Sequence, residues 1–128
     1  MRWHRFSVIV VDDNPSLLDF VDEILSHAGF VVYLASGAIS ALEVLRSHPG
    51  TELLLTDVNM PHINGIVLAD MAKVQRPAIH VLYMTGRGRR MEDELGVRHG
   101  FTIAKPFRAA QLVSAVRQSC VGDGLAAA

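Results

Sequence analysis

Residues 6–15 read FSVIVVDDNP, a mostly β-branched run that stops at Asp12 and Asp13 and is followed by Asn14 and Pro15. A short apolar run without polar alternation is the pattern of a strand buried on both faces. Proline directly after asparagine is a helix start. The Asn side chain can take the free N–H groups of the first turn, and proline suits the first helical position. Leu17, Leu18, Val21, Ile24, Leu25 and Ala28 then recur at helical spacing, and Gly29 closes the segment where a left-handed cap is wanted.

The same alternation repeats outward along the chain. Phe30–Leu34, Leu53–Thr56, Ile79–Met84 and Phe101–Ala104 read as strands. Ala38, Ala41, Leu42 and Leu45 mark a helix ended by Pro49 and Gly50, Ile66–Val74 reads as another, and Leu112–Cys120 lies in a last one. Between Gly86 and Gly100 the periodicity is poor. Arg87, Arg89 and Arg90 suit a helix N-terminus badly and Glu92, Asp93 and Glu94 suit it well, which predicts a short helix from about Met91. Strands alternating with helices imply right-handed crossovers and an α/β fold with a parallel sheet covered on both faces. The expected domain spans 1–120, and 121–128 reads as a tail without pattern.

The 128 residues suit one hydrophobic core, and half of them are apolar. A net charge of -1 offers nothing with which to neutralise a nucleic-acid backbone or an anionic membrane, so direct DNA binding is not expected. Cys120 has no partner for an internal disulfide, and no secretion-type segment precedes Phe6, which together suggest a reducing cytoplasm. Its position continues the apolar face of Leu112 and Val116, a packing role. The histidines show no zinc-ligand spacing, and His62 is expected to be exposed.

In an open parallel sheet the ligand site lies beyond the carboxyl ends of the strands. Asp12 and Asp13 follow the first strand, Asp57 the third, Thr85 the fourth and Lys105 the fifth. Clustered carboxylates repel one another, and one takes up a proton unless a cation is present, so the set calls for Mg²⁺, which favours oxygen ligands. One of Asp12 and Asp13 is also a candidate cap for the first helix. A metal, a Lys ammonium and a Thr hydroxyl supply the positioning and neutralisation that phosphoryl transfer needs, and a carboxylate is an accepted nucleophile for an aspartyl phosphate.

The segments VVDDN at 10–14, TDVNMPHING at 56–65, MTG at 84–86 and KPF at 105–107, in this order and spacing, resemble the signature of response-regulator receiver domains of two-component signalling, the CheY-like family. The resemblance runs from about Ser7 to Cys120. It implies a flavodoxin-like (βα)5 fold with strand order 2-1-3-4-5. It makes Asp57 the phosphoacceptor, Asp13 and Asp57 direct ligands of Mg²⁺, Asp12 a ligand through water, and the Asn59 backbone carbonyl a further ligand. Thr85 and Lys105 would each contact a phosphoryl oxygen, Lys105–Pro106 would be a cis peptide, and Gly65 would let the loop enter the following helix. The implied partner is a sensor histidine kinase or histidine phosphotransfer domain. The implied chemistry is confined to the domain's own phosphorylation and dephosphorylation, so it is not an enzyme on an external substrate.

One position departs from the family pattern. Family members usually carry Tyr or Phe three residues before the lysine, as a switch residue, and here that place holds Thr102. Phe101 is adjacent, yet a one-residue step along a strand reverses the face. The KPF neighbourhood without the aromatic also resembles receivers of hybrid histidine kinases. Thr102 favours a rival reading, a receiver-like module that binds partners without phosphorylation, although the acids and Lys105 are intact. A Mg²⁺-dependent aspartyl phosphohydrolase is a third reading, opposed by Asn59 where such an enzyme needs a general acid.

Overall fold

The computed structural model describes residues 5–86 and 99–126, with side chains to residue 120. Strands β1 (Ser7–Val11), β2 (Val31–Ala35), β3 (Leu53–Asp57), β4 (His80–Thr85) and β5 (Gly100–Ala104) alternate with helices α1 (Pro15–His27), α2 (Ala38–Ser47) and α3 (Gly65–Gln75), and a C-terminal helix spans Ala109–Ala126. The helix expected from about Met91 lies outside the described residues. All strand pairs are parallel, in the order β2-β1-β3-β4-β5. This is the expected doubly wound, flavodoxin-like topology.

Because side chains alternate along a strand, each strand feeds two cores. Ile9, Val11, Leu54, Val81 and Tyr83 pack with Ala38, Ala41 and Leu45 of α2 and Ile66, Leu68, Ala69 and Ala72 of α3. Val8, Val10, Leu53, Leu55, Leu82 and Met84 pack on the other face with Leu18, Val21 and Leu25 of α1 and with Leu112, Val116 and Cys120. Every residue of β3 is buried. Each such Leu stabilises the fold by roughly 2 kcal/mol relative to an exposed one.

The start of α1 follows the sequence reading: Asn14 Oδ1 accepts from Ser16 N at 3.0 Å and Leu17 N at 3.4 Å, with Pro15 at the first position. Gly29 takes φ 100°, the left-handed conformation that costs glycine least. With Asn14 as cap, Asp12 is left to the sheet end. Leu112–Cys120 lies in the C-terminal helix, as expected, and the helix extends beyond that stretch at both ends. Gln111 Oε1 accepts from Arg108 N at 2.8 Å beside its start, and the helix continues through Val121 to Ala126, where the sequence lacks pattern. Extending a helix costs far less than nucleating one, so a segment without periodicity of its own follows a helix already formed. Among the described residues no helix is long and apolar enough to cross a membrane.

Candidate functional site

Backbone hydrogen bonds tie the carboxyl ends of neighbouring strands, β3 to β4, β4 to β5 and β1 to β2. Val58 N donates to Met84 O at 3.0 Å and Lys105 N to Thr85 O at 2.8 Å, while Asp12 N donates to Ala35 O at 3.2 Å. These bonds extend the ladder one residue beyond the strands, so that Asp57 and Thr85, the last residues of β3 and β4, and Asp12 and Lys105, the first after β1 and β5, are all held in place. Asp12 is 1% exposed, Asp57 6% and Thr85 1%. Asp13 is exposed. The structure therefore brings the acids, Thr85 and Lys105 to one end of the sheet, as their spacing in the sequence predicts.

Carboxylate oxygens of Asp12, Asp13 and Asp57 lie within 4.8 Å of one another. A set of hard oxygen donors this close, one of them facing solvent, fits Mg²⁺, which keeps waters in its shell and binds proteins through few carboxylates. The other cation at hand is Lys105, whose Nζ sits 2.9 Å from Asp12 Oδ2 and 3.4 Å from Asp57 Oδ1. Asp12 Oδ1 accepts from Asn14 N at 2.9 Å. Both oxygens of Asp12 thus have partners within the chain, a pairing with Lys105 that the sequence did not reveal.

Asp57 is less satisfied. Its Oδ1 accepts from Asn59 N only at 3.4 Å. Burial pushes its carboxyl above the ordinary carboxylate range; Lys105 opposes that shift and Asp12 adds to it. A carboxylate with raised basicity, half-compensated by one ammonium, gains on receiving a further cation or on being esterified.

The loop after β3 is built around glycine. A Cβ placed on Gly65 would overlap the Asp57 carbonyl oxygen, and Gly65 N donates to Val58 O at 2.9 Å. The first turn of α3 thus rests directly on the Asp57 backbone. Asn64 caps that helix, its Oδ1 accepting from Ile66 N and Val67 N, both at 2.9 Å. Asn64 was missed in the sequence although the signal, an Asn at the foot of an apolar helix, matches that of Asn14. His62 is exposed with φ 69°, and Lys105–Pro106 is a cis peptide.

On β5, Thr102 pairs with Tyr83 and Phe101 with Leu82. Tyr83 faces α3 and Leu82 faces α1 and the C-terminal helix. Phe101 therefore points away from the face of Thr102 and is 50% exposed.

Residues 8–117 match the response regulator receiver domain family. The chain belongs to that family. This receiver domain is 34% identical over 114 residues to the transcriptional regulatory protein CpxR of Escherichia coli K12, covering 86% of this chain and 47% of that protein. It is 31% identical over 121 residues to the two-component response regulator ARR14 of Arabidopsis thaliana, covering 89% of this chain and 32% of that one. The receiver domain spans half or less of such curated relatives. Among solved structures, a response regulator receiver protein from Sinorhizobium medicae superposes with a TM-score of 0.81 at 28% identity, over 91% of this chain and 95% of that one. NtrX from Brucella abortus superposes with a TM-score of 0.85 at 28% identity, over 95% of this chain and 28% of that one.

Proposed function

We propose that this receiver domain accepts a phosphoryl group on Asp57 from a phosphohistidine of a sensor kinase or histidine phosphotransfer domain, and that the ester alters a protein-binding surface. The observation that carries the reading is the Asp57 carboxylate at the end of β3, inside a ring of Asp12, Asp13 and Lys105. An Asp57 oxygen forms the new O–P bond as the N–P bond of the donor breaks, and the leaving imidazole recovers its proton from solvent. Lys105 and Thr85 take the charge on the phosphoryl oxygens, with Lys105 exchanging a carboxylate contact for a phosphoryl one. Asp13, Asp57 and the Asn59 carbonyl are the proposed direct holders of Mg²⁺, and Asp12, already bonded to Lys105 and Asn14, acts through water. The bound ion supplies neutralisation of charge shared between carboxylates and phosphoryl oxygens. Slow hydrolysis of the ester returns the domain to its starting state, and cytoplasmic kinases are the expected donors.

Intact mass after incubation with acetyl phosphate tests the reading. A Mg²⁺-dependent gain of about 80 Da, one phosphoryl group, that is lost in Asp57→Asn is the expected result. A folded protein that gains no mass under any condition overturns it. That outcome favours the second reading, constitutive binding without phosphorylation, which Thr102 at the switch position supports.

A further inference from the structure

α1 carries two apolar stripes. Leu18, Val21 and Leu25 face the core, while Phe20, Ile24 and the capping Ala28 repeat at four-residue spacing on the neighbouring flank. The second stripe meets Ala109, Ala110 and Val113 of the C-terminal helix across a groove of about 830 Å³. A cleft of that size has room for a large side chain, since sites that enclose small organic molecules run from roughly 300 to 1,000 Å³. Glu23 stands on one bank and Arg117 on the other, and no ion pair of the described residues takes up either. The described chain starts beside this groove: Arg5 Nε donates to Gly29 O at 3.2 Å, and Gly29 follows directly on Ala28. Phe6 packs in the core beneath the same two helices. Residues 1–4, MRWH, precede that anchor and include Trp3, the one tryptophan of the chain. Four residues reach at most about 14 Å, and Ile24 lies one helical turn from Ala28, a rise of about 6 Å.

We propose that the groove between α1 and the C-terminal helix is the docking site of this chain's own N-terminal segment, with the Trp3 indole as its occupant. An indole combines a large apolar surface with one polar N–H, which suits an apolar floor between polar banks. Arg2, next to it in sequence, is opposite in charge to Glu23, and the Arg117 guanidinium can lie on the indole face. Docked in this way, the segment straps α1, which leads away from Asp12 and Asp13, to the helix that follows Lys105 and Pro106. The strap needs no phosphoryl group and stands independently of the function proposed above.

The test uses the full chain, in which fluorescence excited at the red edge of the absorption band comes from Trp3 alone. Acrylamide should quench this emission several-fold more slowly than it quenches N-acetyltryptophanamide. Nuclear Overhauser contacts should join the indole protons to the methyl groups of Ile24 and Val113. Ile24→Gln should bring quenching up to the rate of the free amide. Glu23→Lys, at an exposed residue, should speed quenching and keeps the test open if Ile24→Gln loses its fold. A folded wild type whose Trp3 quenches like the free amide overturns the proposal. Protection that persists unchanged in both variants overturns it too, because Trp3 is then buried elsewhere. Contacts seen only between differently labelled molecules in a mixed sample also overturn it and give the groove to a second copy. Asp57→Asn should leave all of these readings unchanged, so failure of the strap and failure of phosphoryl acceptance are seen separately.

Discussion

Lys105 is closer to Asp12 than to Asp57: its ammonium lies 2.9 Å from the first and 3.4 Å from the second. Asp12 is almost wholly buried, so Lys105 is first of all the counter-ion of a desolvated carboxylate. Removing the ammonium while keeping the stem, Lys105→Met, leaves that carboxylate unpaired. Urea unfolding in Mg²⁺-free buffer should show a loss of about 2 kcal/mol, at the low end for a buried pair because Lys105 is partly exposed. Added Mg²⁺ should recover part of the loss, and the uptake of phosphate from acetyl phosphate should slow.

Asp57→Asn should stabilise the metal-free protein. The folded state holds the Asp57 carboxyl above its unfolded value, mainly by burial, so ionising it costs folding free energy. Stability linked to this group is fully present below the unfolded value of about 3.9 and is lost as pH rises through the folded one. The advantage of Asn over Asp should therefore be absent near pH 3, grow as the pH rises, and level off once Asp57 is ionised. About 1 kcal/mol, or a few degrees in melting temperature at neutral pH, is the expected scale. Mg²⁺ should narrow the gap by stabilising the wild type more than the variant.

Gly65→Ala should damage stability and chemistry together. The new methyl meets the Asp57 carbonyl oxygen, a backbone atom that cannot swing aside, so the phosphoacceptor loop must move. A destabilisation of about 2 kcal/mol is expected, with slower mass gain from acetyl phosphate even at temperatures where the variant is folded. Gly29→Ala, strained at φ 100° but remote from the site, should cost comparable stability and leave the labelling rate unchanged.

The two asparagine caps allow an internal comparison. Asn14→Ala and Asn64→Ala should each cost about 1 kcal/mol in urea unfolding. Asn64 sits beside Gly65, whose amide bonds the Val58 carbonyl, and so Asn64→Ala should also slow labelling of Asp57. Asn14 bonds Asp12 through its backbone, which alanine preserves, and its replacement should leave labelling nearly intact.

The strands and the end of the sheet that carries the polar residues were legible in the residues themselves, and the strand order through the family resemblance. Short runs such as VIVV and LLL, bounded by turn residues and separated from segments of helical periodicity, fit strands buried on both faces. Asn14, Pro15 and Gly29 announced both ends of α1 through chemistry that is local to them. What was not legible depends on neighbours far apart in the chain. The Lys105–Asp12 pair joins residues 93 positions apart, and nothing near either residue signals the other. The place of Tyr83 between Thr56 and Thr102 follows from register, which becomes visible only when the sheet is assembled. The reach of the C-terminal helix to Ala126 comes from propagation out of a packed segment, and the tail itself carries no pattern to read.

The strands that carry the two ends of the site differ in how closely they are packed. β3 is buried at every residue and gripped from both sides by β1 and β4, whereas β5 is one of the two edge strands and has no buried residue. Asp57 closes the buried strand and Lys105 follows directly on the exposed one. A displacement imposed between the two therefore meets closer packing at the Asp57 end than at the Lys105 end among the described residues.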